Sequence, residues 1–394
     1  MDAIVVGAGV VGLTTAISLA EAGLTTRIVT AAPPAATTSA AAGAIWGPVR
    51  CGPPERCHAW ARTGLGVLSA LADEPSAGVR QLSGREVCSS PTSPPAWAGL
   101  LSDLRVLGPG DLPDGFASGW AYTAPAVNMP VYLEYLLRRY KGLGGLVAAE
   151  TVTSLASLPA PVVVNCTGVG ARSLVPDPSV VPVRGQVVVA ANPGITEFYL
   201  DHGNNGADYV YVFPHGDVVL LGGTAYEGAS DWAPRPEVSA RILRDCAAVF
   251  PALRDARVIT ERVGLRPVRP SVRLEPEPLP GGRVLWHNYG HGGAGVTLSW
   301  GCAADLTAAL LAKQGDLLLL SACRHGSAPT PVAVISAAGR RWIILHTGRW
   351  RTIHYLTAPL RLTPRYARAP RRYGTSGRAG VVSWAGIALA VGSG

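Results

Sequence analysis

The chain has 394 residues, 48% of them hydrophobic and 15% charged, which is ample for a large core and points to two domains. Its net charge of +8 does not describe the body: no acidic residue follows Asp316, and the last 78 residues hold eleven arginines. Without that tail, residues 1–316 carry 23 basic and 26 acidic side chains, a balance of about −3, so the basic character belongs to the tail and gives no sign of a nucleic-acid-binding face on the body.

No charged segment precedes the first apolar run, so no signal peptide is expected. The apolar stretch Leu306–Leu320 is interrupted by Lys313 and Asp316, so no membrane span is expected either. The seven cysteines are odd in number and scattered. Their one cluster, Cys51 with Cys57-His58, fits no common zinc spacing. They read as free thiols of a cytoplasmic protein, with no metal site.

Asp2-Ala3-Ile4-Val5-Val6 is a short apolar, β-branched run, followed directly by Gly7-Ala8-Gly9-Val10-Val11-Gly12. A helix is expected next, with Leu13, Ile17 and Ala20 on one face and Gly23 as its stop, then a strand over Thr25 to Thr30. Strand, glycine turn, helix and strand within about thirty residues make a βαβ dinucleotide-binding unit. Gly7 allows the tight turn, Gly9 lets backbone approach a pyrophosphate, and Gly12 lets helix and strand pack closely. The pyrophosphate would rest on the helix N-terminus, where free N–H groups and the helix dipole favour an anion. The acid that should end the second strand and grip the ribose hydroxyls is missing, because Thr30 runs into Ala31-Ala32-Pro33-Pro34. Looser cofactor binding is expected, with Thr30 able to supply one hydrogen bond.

Thr37-Thr38-Ser39 and Ala40 to Pro48 are rich in small residues, which let backbone approach a flat ring and place hydroxyls near a phosphate. Residues 54–75 and 129–142 have amphipathic helical spacing, while 76–128, rich in Pro, Ser and Gly, reads as loops. Val152 lies in a strand-like run ahead of Pro161 to Gly168, a buried parallel strand ending in a glycine turn. Val181–Ala190, Tyr209–Pro214 and Val218–Gly222 read as strands, the last two joined by the hairpin signal His215-Gly216-Asp217. Residues 237–250 read as a helix.

Gly264-Leu265-Arg266-Pro267-Val268-Arg269-Pro270-Ser271-Val272-Arg273 puts three arginines in an extended segment. Side chains alternate there, so Arg266 and Arg269 cannot face the same way, and at most one reaches a buried site. A guanidinium in an apolar pocket suits bidentate capture of a carboxylate, whereas the alternative is an ion pair with Glu261 or Glu275. His287-Asn288-Tyr289-Gly290-His291-Gly292-Gly293-Ala294-Gly295 then leads into a helix over Leu298 to Leu311, a second place where backbone amides can face a ligand. Between glycines, His291 reads as a shaper of the loop rather than a base.

Together these segments resemble the D-amino-acid oxidase family over residues 1 to about 320. The resemblance also rests on Val164-Asn165-Cys166-Thr167-Gly168, Arg184-Gly185-Gln186 and Tyr211-Val212-Phe213-Pro214. It implies an α/β fold of mixed α+β character, in which a Rossmann-type FAD-binding domain (1–47, 143–185 and 256–320) is interleaved with an antiparallel-sheet substrate domain (48–142 and 186–255). It implies FAD contacts from Gly7, Ala8, Gly9, Val10, Val11, Gly12, Thr37, Thr38, Ser39, Gly43, Ala44, Val152, Thr167, Gly168, Gly292, Gly293, Gly295, Val296 and Thr297. The substrate carboxylate would go to Arg266, helped by the Tyr211 hydroxyl. The Gly293 carbonyl would accept from the substrate amine, and Tyr209 is a candidate for the family's second active-site tyrosine. No side chain serves as acid or base, because the flavin takes the Cα hydrogen as hydride. The reaction implied is oxidative deamination of a D-amino acid to a 2-oxo acid with NH3 and H2O2, with O2 as acceptor and a homodimer as the assembly left open. Asp201 to Asp208 holds two acids and no Arg or Lys, which favours neutral substrates over D-aspartate. Glycine or sarcosine oxidation is a second alternative, and a flavin fold serving a basic interaction tail is a third.

Residues 321–394 combine eleven arginines with many Ala, Gly and Pro residues and no sustained periodicity. GC-rich DNA read in an unselected frame gives this composition, so the tail reads as a read-through extension, largely without order. The alternative is a basic segment for an acidic partner or a membrane surface. Truncation after Leu320 is expected to leave flavin content and turnover with a D-amino acid unchanged; loss of either would show that the tail belongs to the working protein.

Overall fold

The computed structural model describes residues 1–202 and 208–324, with side chains as far as 312, and two further strands at 333–337 and 340–344. The chain forms two compact units, 1–312 and 313–394.

The first unit opens with β1 (Ala3–Val6), α1 (Val10–Glu21) and β2 (Thr26–Thr30). Next come α2 (Pro54–Leu71), β3 (Val79–Cys88), β4 (Arg105–Val106), β5 (Ser118–Val127), α3 (Met129–Gly142) and β6 (Leu146–Ala149). Then follow β7 (Val162–Asn165), the short α4 (Ala171–Leu174), β8 (Val181–Ala191), β9 (Phe198–Asp201), β10 (Asp208–His215), β11 (Val218–Thr224) and β12 (Tyr226–Glu227). The last are α5 (Pro236–Val249), β13 (Val258–Val268), β14 (Arg273–Leu279), β15 (Arg283–Tyr289) and α6 (Gly295–Arg324).

Two sheets organise them. The first has the order β14-β15-β7-β1-β2-β6, parallel throughout except for β14 against β15. The second has the order β12-β8-β11-β10-β9-β3-β5-β4, with β13 pairing β8, and is antiparallel except for β3 with β9. This is the mixed α/β architecture expected from the sequence. The strand β13, grouped there with the cofactor-binding domain, instead pairs along its length with β8, from Val258 opposite Ala190 to Val268 opposite Val181.

α1 is buried on nearly every side rather than on one face, because it lies over β1 and β2 on one side and against α3 on the other. Thr14 and Thr15 are fully buried in it, and their hydroxyls donate to the carbonyls of Val10 and Val11 at 2.9 and 2.7 Å, so no polar group is stranded. The helix stops as expected: Gly23 has φ 90° and its N–H donates to Ala20 O at 2.9 Å.

The reading of 76–128 as loops is corrected. Val79–Cys88 and Ser118–Val127 are ten-residue strands in continuous register, from Val79 opposite Val127 to Cys88 opposite Ser118. Their alternation is blurred because Arg80, Glu86 and Pro125 occupy positions that packing and hydrogen bonds elsewhere in the sheet make tolerable. Glu86, only 3% exposed, accepts from Trp120 Nε1 at 3.1 Å and from the Tyr122 hydroxyl, so the buried acid is hydrogen-bonded within the sheet. The strand anticipated at Val152 is also displaced. β6 ends at Ala149, opposite the last residue of β2, and Val152 lies in irregular chain beyond the sheet.

α2 and α6 cross at close range. A Cβ on Gly64 would lie 2.0 Å from Thr297 O, and one on Gly301 2.4 Å from Trp60 Cα, so the crossing requires glycine on both helices. Trp60 Nε1 donates to Asp305 at 2.7 Å across the same contact. Gly295–Ala312 is long and apolar enough by composition to cross a membrane, yet more than half of that stretch is buried, with Leu298, Cys302, Leu306 and Leu310 in the main core.

In the second unit, Ala333–Ala337 pairs antiparallel with Arg340–Ile344. The expectation of a largely unordered tail otherwise falls outside the described residues.

His215 closes β10 and is buried, its Nε2 3.4 Å from Gly43 O. Burial, with Arg80 and Arg262 nearby, pushes its pKa down from 6.5 to about 4. The folded protein therefore holds it neutral while the unfolded chain protonates near 6.5, so its contribution to stability is full above pH 6.5 and is lost as pH falls toward 4. Denaturant unfolding across that window should show stability falling with acid in the wild type and less steeply in His215→Gln. Parallel curves would show that His215 is not a source of the acid sensitivity.

Candidate functional site

A cavity of about 1180 Å³ is lined by the C-terminal ends of β1, β2 and β7, the chain after β6, residues 36–50, the 291–297 loop and one face of the antiparallel sheet. It starts from the glycine turn. Gly7 has φ 108°, and a Cβ there would lie 2.6 Å from Cys166 O. A Cβ on Gly12 would lie 1.9 Å from Gly7 O, so Gly12 does not line the cavity but sets α1 hard against β1. Gly7, Ala8, Gly9, Val10 and Val11 do line it. α1 has no acid in its first turn and no side chain of its own as a cap, so its dipole and first amides offer an anion site.

The 37–47 segment differs in detail from its sequence reading. Thr37, Thr38, Ser39, Gly43 and Ala44 all line the cavity. Their hydroxyls, however, already have partners. Thr37 donates to Pro34 O at 2.7 Å, Thr38 to Leu265 O at 3.2 Å, and Ser39 Oγ accepts from Val10 N–H at 3.0 Å. These groups fix the loop against α1 and β13. Gly43 is needed for a different reason: a Cβ would come within 2.9 Å of the Phe213 ring.

At the end nearest β2, Thr30, Ala31, Ala32 and residues 150–153, Val152 among them, line the wall. The Thr30 hydroxyl donates to Ala32 O at 2.7 Å, so the hydrogen bond anticipated from Thr30 is spent within the protein. Thr167 and Gly168 lie beside the glycine turn, where Thr167 Oγ1 donates to Asn165 Oδ1 at 2.7 Å.

The 290–297 loop supplies the opposite wall through Gly292, Gly293, Gly295, Val296 and Thr297. Gly292 has φ 55° and N–H to Pro267 O at 3.0 Å; a Cβ on it would lie 2.0 Å from Arg50 O. Thr297 Oγ1 both donates to Gly47 O and accepts from Gly47 N–H, each at 3.1 Å, tying this loop to the 37–47 segment. His291 is 2% exposed, and burial pushes its pKa down to about 4, so it is a neutral imidazole at ordinary pH. Its Nε2 and the Oδ1 of fully buried Asn288 have no partner among the described residues, and both side chains line the cavity.

The substrate end is built by the second sheet. Arg266 lines the cavity with its NH1 donating to Thr224 O at 2.9 Å, and Gly185 makes the room, since a Cβ there would lie 2.5 Å from that nitrogen. Arg269 turns the other way to Asp177 at 3.0 Å and Arg273 pairs with Glu275 at 2.7 Å, so one arginine of the three reaches the cavity. Tyr211 stacks on Phe213 with ring centroids 4.6 Å apart, and Cβ atoms on Gly222 or Gly223 would strike its ring. Burial pushes the Tyr211 phenol up to about 12, so it remains a hydrogen-bond donor at ordinary pH. Arg184 and Gln186, flanking Gly185, are buried and structural: Arg184 pairs with Asp231 at 3.0 Å, and Gln186 donates to Ser239 Oγ at 2.7 Å.

Sequence reading missed three side chains here. Arg50, placed by the turn after Trp46 and held at φ 52°, lines the cavity and donates to the Tyr209 hydroxyl. A cation that 201–208 lacks is thus brought to the cavity wall from a segment far away in sequence, which spacing alone cannot reveal. Glu86 lines the cavity with His202 Nε2 at 2.9 Å, and Glu150 lines it at the β2 end.

The pieces fit a dinucleotide carrying a flat ring system: a glycine cradle that a Cβ would fill, a helix N-terminus, and unpartnered polar atoms on the far wall. Among the described residues, no group of three His, Cys, Asp or Glu side chains is placed to hold a metal.

Comparison with known proteins agrees with this geometry. A family model described as FAD dependent oxidoreductase matches residues 2–310. The chain is 48% identical to a D-amino-acid oxidase of Rubrobacter xylanophilus over 309 residues, 78% of this chain and 94% of that one. It is 46% identical to a D-amino-acid oxidase of Streptomyces coelicolor over 306 residues, 77% and 95% of the two chains. In fold it is similar to the crystal structure of glycine oxidase from Geobacillus kaustophilus, with a TM-score of 0.66 at 19% identity, covering 78% of this chain and 94% of that one.

Proposed function

The chain belongs to the D-amino-acid oxidase family of FAD-dependent oxidoreductases, and from that membership we propose that it deaminates D-amino acids oxidatively, neutral ones in preference, to 2-oxo acids with release of NH3 and H2O2. One observation carries the assignment: the Arg266 guanidinium and the protonated Tyr211 phenol share a cavity with the glycine cradle and the 292–297 loop. Bound FAD supplies the acceptor for the hydride leaving Cα and passes the electrons to O2.

The protein's own part is to bind and aim. Arg266, oriented by Thr224 O, offers its remaining N–H groups to the substrate carboxylate, and Tyr211 donates to the same group. The Gly293 carbonyl accepts from the amine, which must arrive neutral for hydride to leave. With carboxylate and amine both fixed, one face of Cα is presented, and the configuration of the substrate follows from that face. No base is needed at carbon, and burial, by lowering His291 to about 4, leaves it a weak one. The body's balance of about −3 supports action without nucleic acid, and the free thiols of Cys51, Cys57, Cys88, Cys166, Cys246 and Cys302 support a cytoplasmic location.

The preference for neutral side chains is supported by a wall of Leu200, Phe213, Trp97 and Tyr122, and by the Glu86 carboxylate, which disfavours a second acid. Arg50 favours a second reading, oxidation of acidic D-amino acids, because it brings a cation to the Tyr209 side of the cavity.

Arg266→Ala should lose at least about 3 kcal/mol of transition-state binding in kcat/KM while keeping its FAD, because it removes a charge-assisted bidentate contact. Turnover within about threefold of wild type would remove Arg266 from the substrate clamp. Wild-type kcat/KM should be higher for D-valine than for D-aspartate. A preference for D-aspartate that Arg50→Ala abolishes would put the second reading in place of the first.

A further inference from the structure

The wall at the β2 end poses a chemical problem. An adenosine ribose offers two neighbouring hydroxyls, and a carboxylate is the group that accepts both at once. β2 ends in Thr30-Ala31-Ala32, which has no acid, and the Thr30 proton is already committed to Ala32 O.

We propose that Glu150, on the neighbouring strand, supplies the missing carboxylate and accepts the ribose hydroxyls of FAD. The inference rests on the FAD reading above. β6 runs parallel to β2 in the register Thr30 opposite Ala149, so Glu150 is the first residue past the sheet, beside Ala31. Its backbone N–H donates to Thr30 O at 2.9 Å, which extends the ladder by one bond and fixes the residue at the cavity wall.

Three further facts favour it. Among the described residues, only two acids line the cavity, Glu86 and Glu150. Glu86 is buried in the second sheet and engaged by Trp120, Tyr122 and His202, so it is not available to a ribose. Glu150 has no hydrogen-bonding or ionic partner of its own among the described residues and is exposed at the rim, so its charge costs little to keep ready. The carboxylate has moved one strand along the sheet while serving the same end of the cofactor. Wild-type affinity for FAD should accordingly exceed what an alanine-ended β2 alone would give.

The test measures flavin release on serial dilution, followed by flavin fluorescence, for wild type and Glu150→Gln holoenzyme, and for both proteins stripped and refilled with FMN, which lacks the adenosine. Glu150→Gln should raise the FAD dissociation constant about tenfold and leave that for FMN unchanged. Adding Ala32→Glu to the variant should recover the lost FAD affinity, because it returns a carboxylate to the end of β2. Equal FAD affinity in wild type and Glu150→Gln would overturn the inference, as would an equal loss toward both flavins. Wild-type protein that holds neither flavin would instead overturn the cofactor reading, a separate outcome.

Discussion

The structure turns on one missing methyl group. With no Cβ on Gly12, the first turn of α1 sits directly on the carbonyl of Gly7, where a Cβ would be 1.9 Å away. That contact aims the helix N-terminus across the top of the parallel sheet, at the point where β1 lies between β2 and β7. The neighbouring approach, Gly7 against Cys166 O, brings the end of β7 to the same place. Backbone amides therefore converge on the cavity because two side chains are absent. Alanine at Gly12 would have to push α1 off the end of β1, and alanine at Gly7 would have to push the ends of β1 and β7 apart.

The second half of the site depends on a similar economy of side chains further along the chain. The glycine crossing of α2 and α6 fixes where α6 begins, and with it the 291–297 loop; Thr297 and Gly47 then tie this loop to the segment after the short helical turns at 34–36 and 38–41. The antiparallel sheet contributes what the parallel one lacks, a guanidinium and a phenol on its face toward the cavity. Gly185, Gly222 and Gly223 are flat places in that face where Arg266 and Tyr211 lie down. Buried Arg184, held by Asp231 and Gln186, stiffens β8 beneath them. Its partner Asp231 is 42% exposed, so the ion pair itself adds little to stability and its value is in geometry.

The sequence made the βαβ unit legible because its signals are local: an apolar run, three spaced glycines and a Gly23 stop all act within a few residues. The alternation rule also separated Arg266 from Arg269 and Arg273 correctly, since it needs only extended backbone. What it could not show depends on contacts between distant segments. β3 and β5 read as loop because the stretch 76–128 around them is rich in Pro, Ser and Gly, and the partners that make a buried Glu86 tolerable in β3 lie on β5 and at His202. Arg50 was overlooked because its position follows from a left-handed turn at residue 50 that packs on Gly292, more than two hundred residues away. Glu150 was overlooked because its relation to Ala31 exists only in the register of β6 on β2.

The engaged hydroxyls around the cavity lead to a further conclusion about how it binds. Thr30, Thr37, Thr38, Thr167 and Thr297 all donate to protein acceptors, and Ser39 caps α1. A ligand that recruited their protons would have to break those bonds, at about 1 kcal/mol or more each. Their role is to lock the walls in place before any ligand arrives, which lowers the entropy lost on binding. Recognition is left to the first-turn amides of α1 past the capped Val10, and to His291 Nε2, Asn288 Oδ1 and the Glu150 carboxylate, which have no partner among the described residues. A rigid wall with few open valences suits a resident cofactor, while the substrate end, where Arg266 keeps N–H groups beyond its bond to Thr224 O, suits a molecule that must come and go.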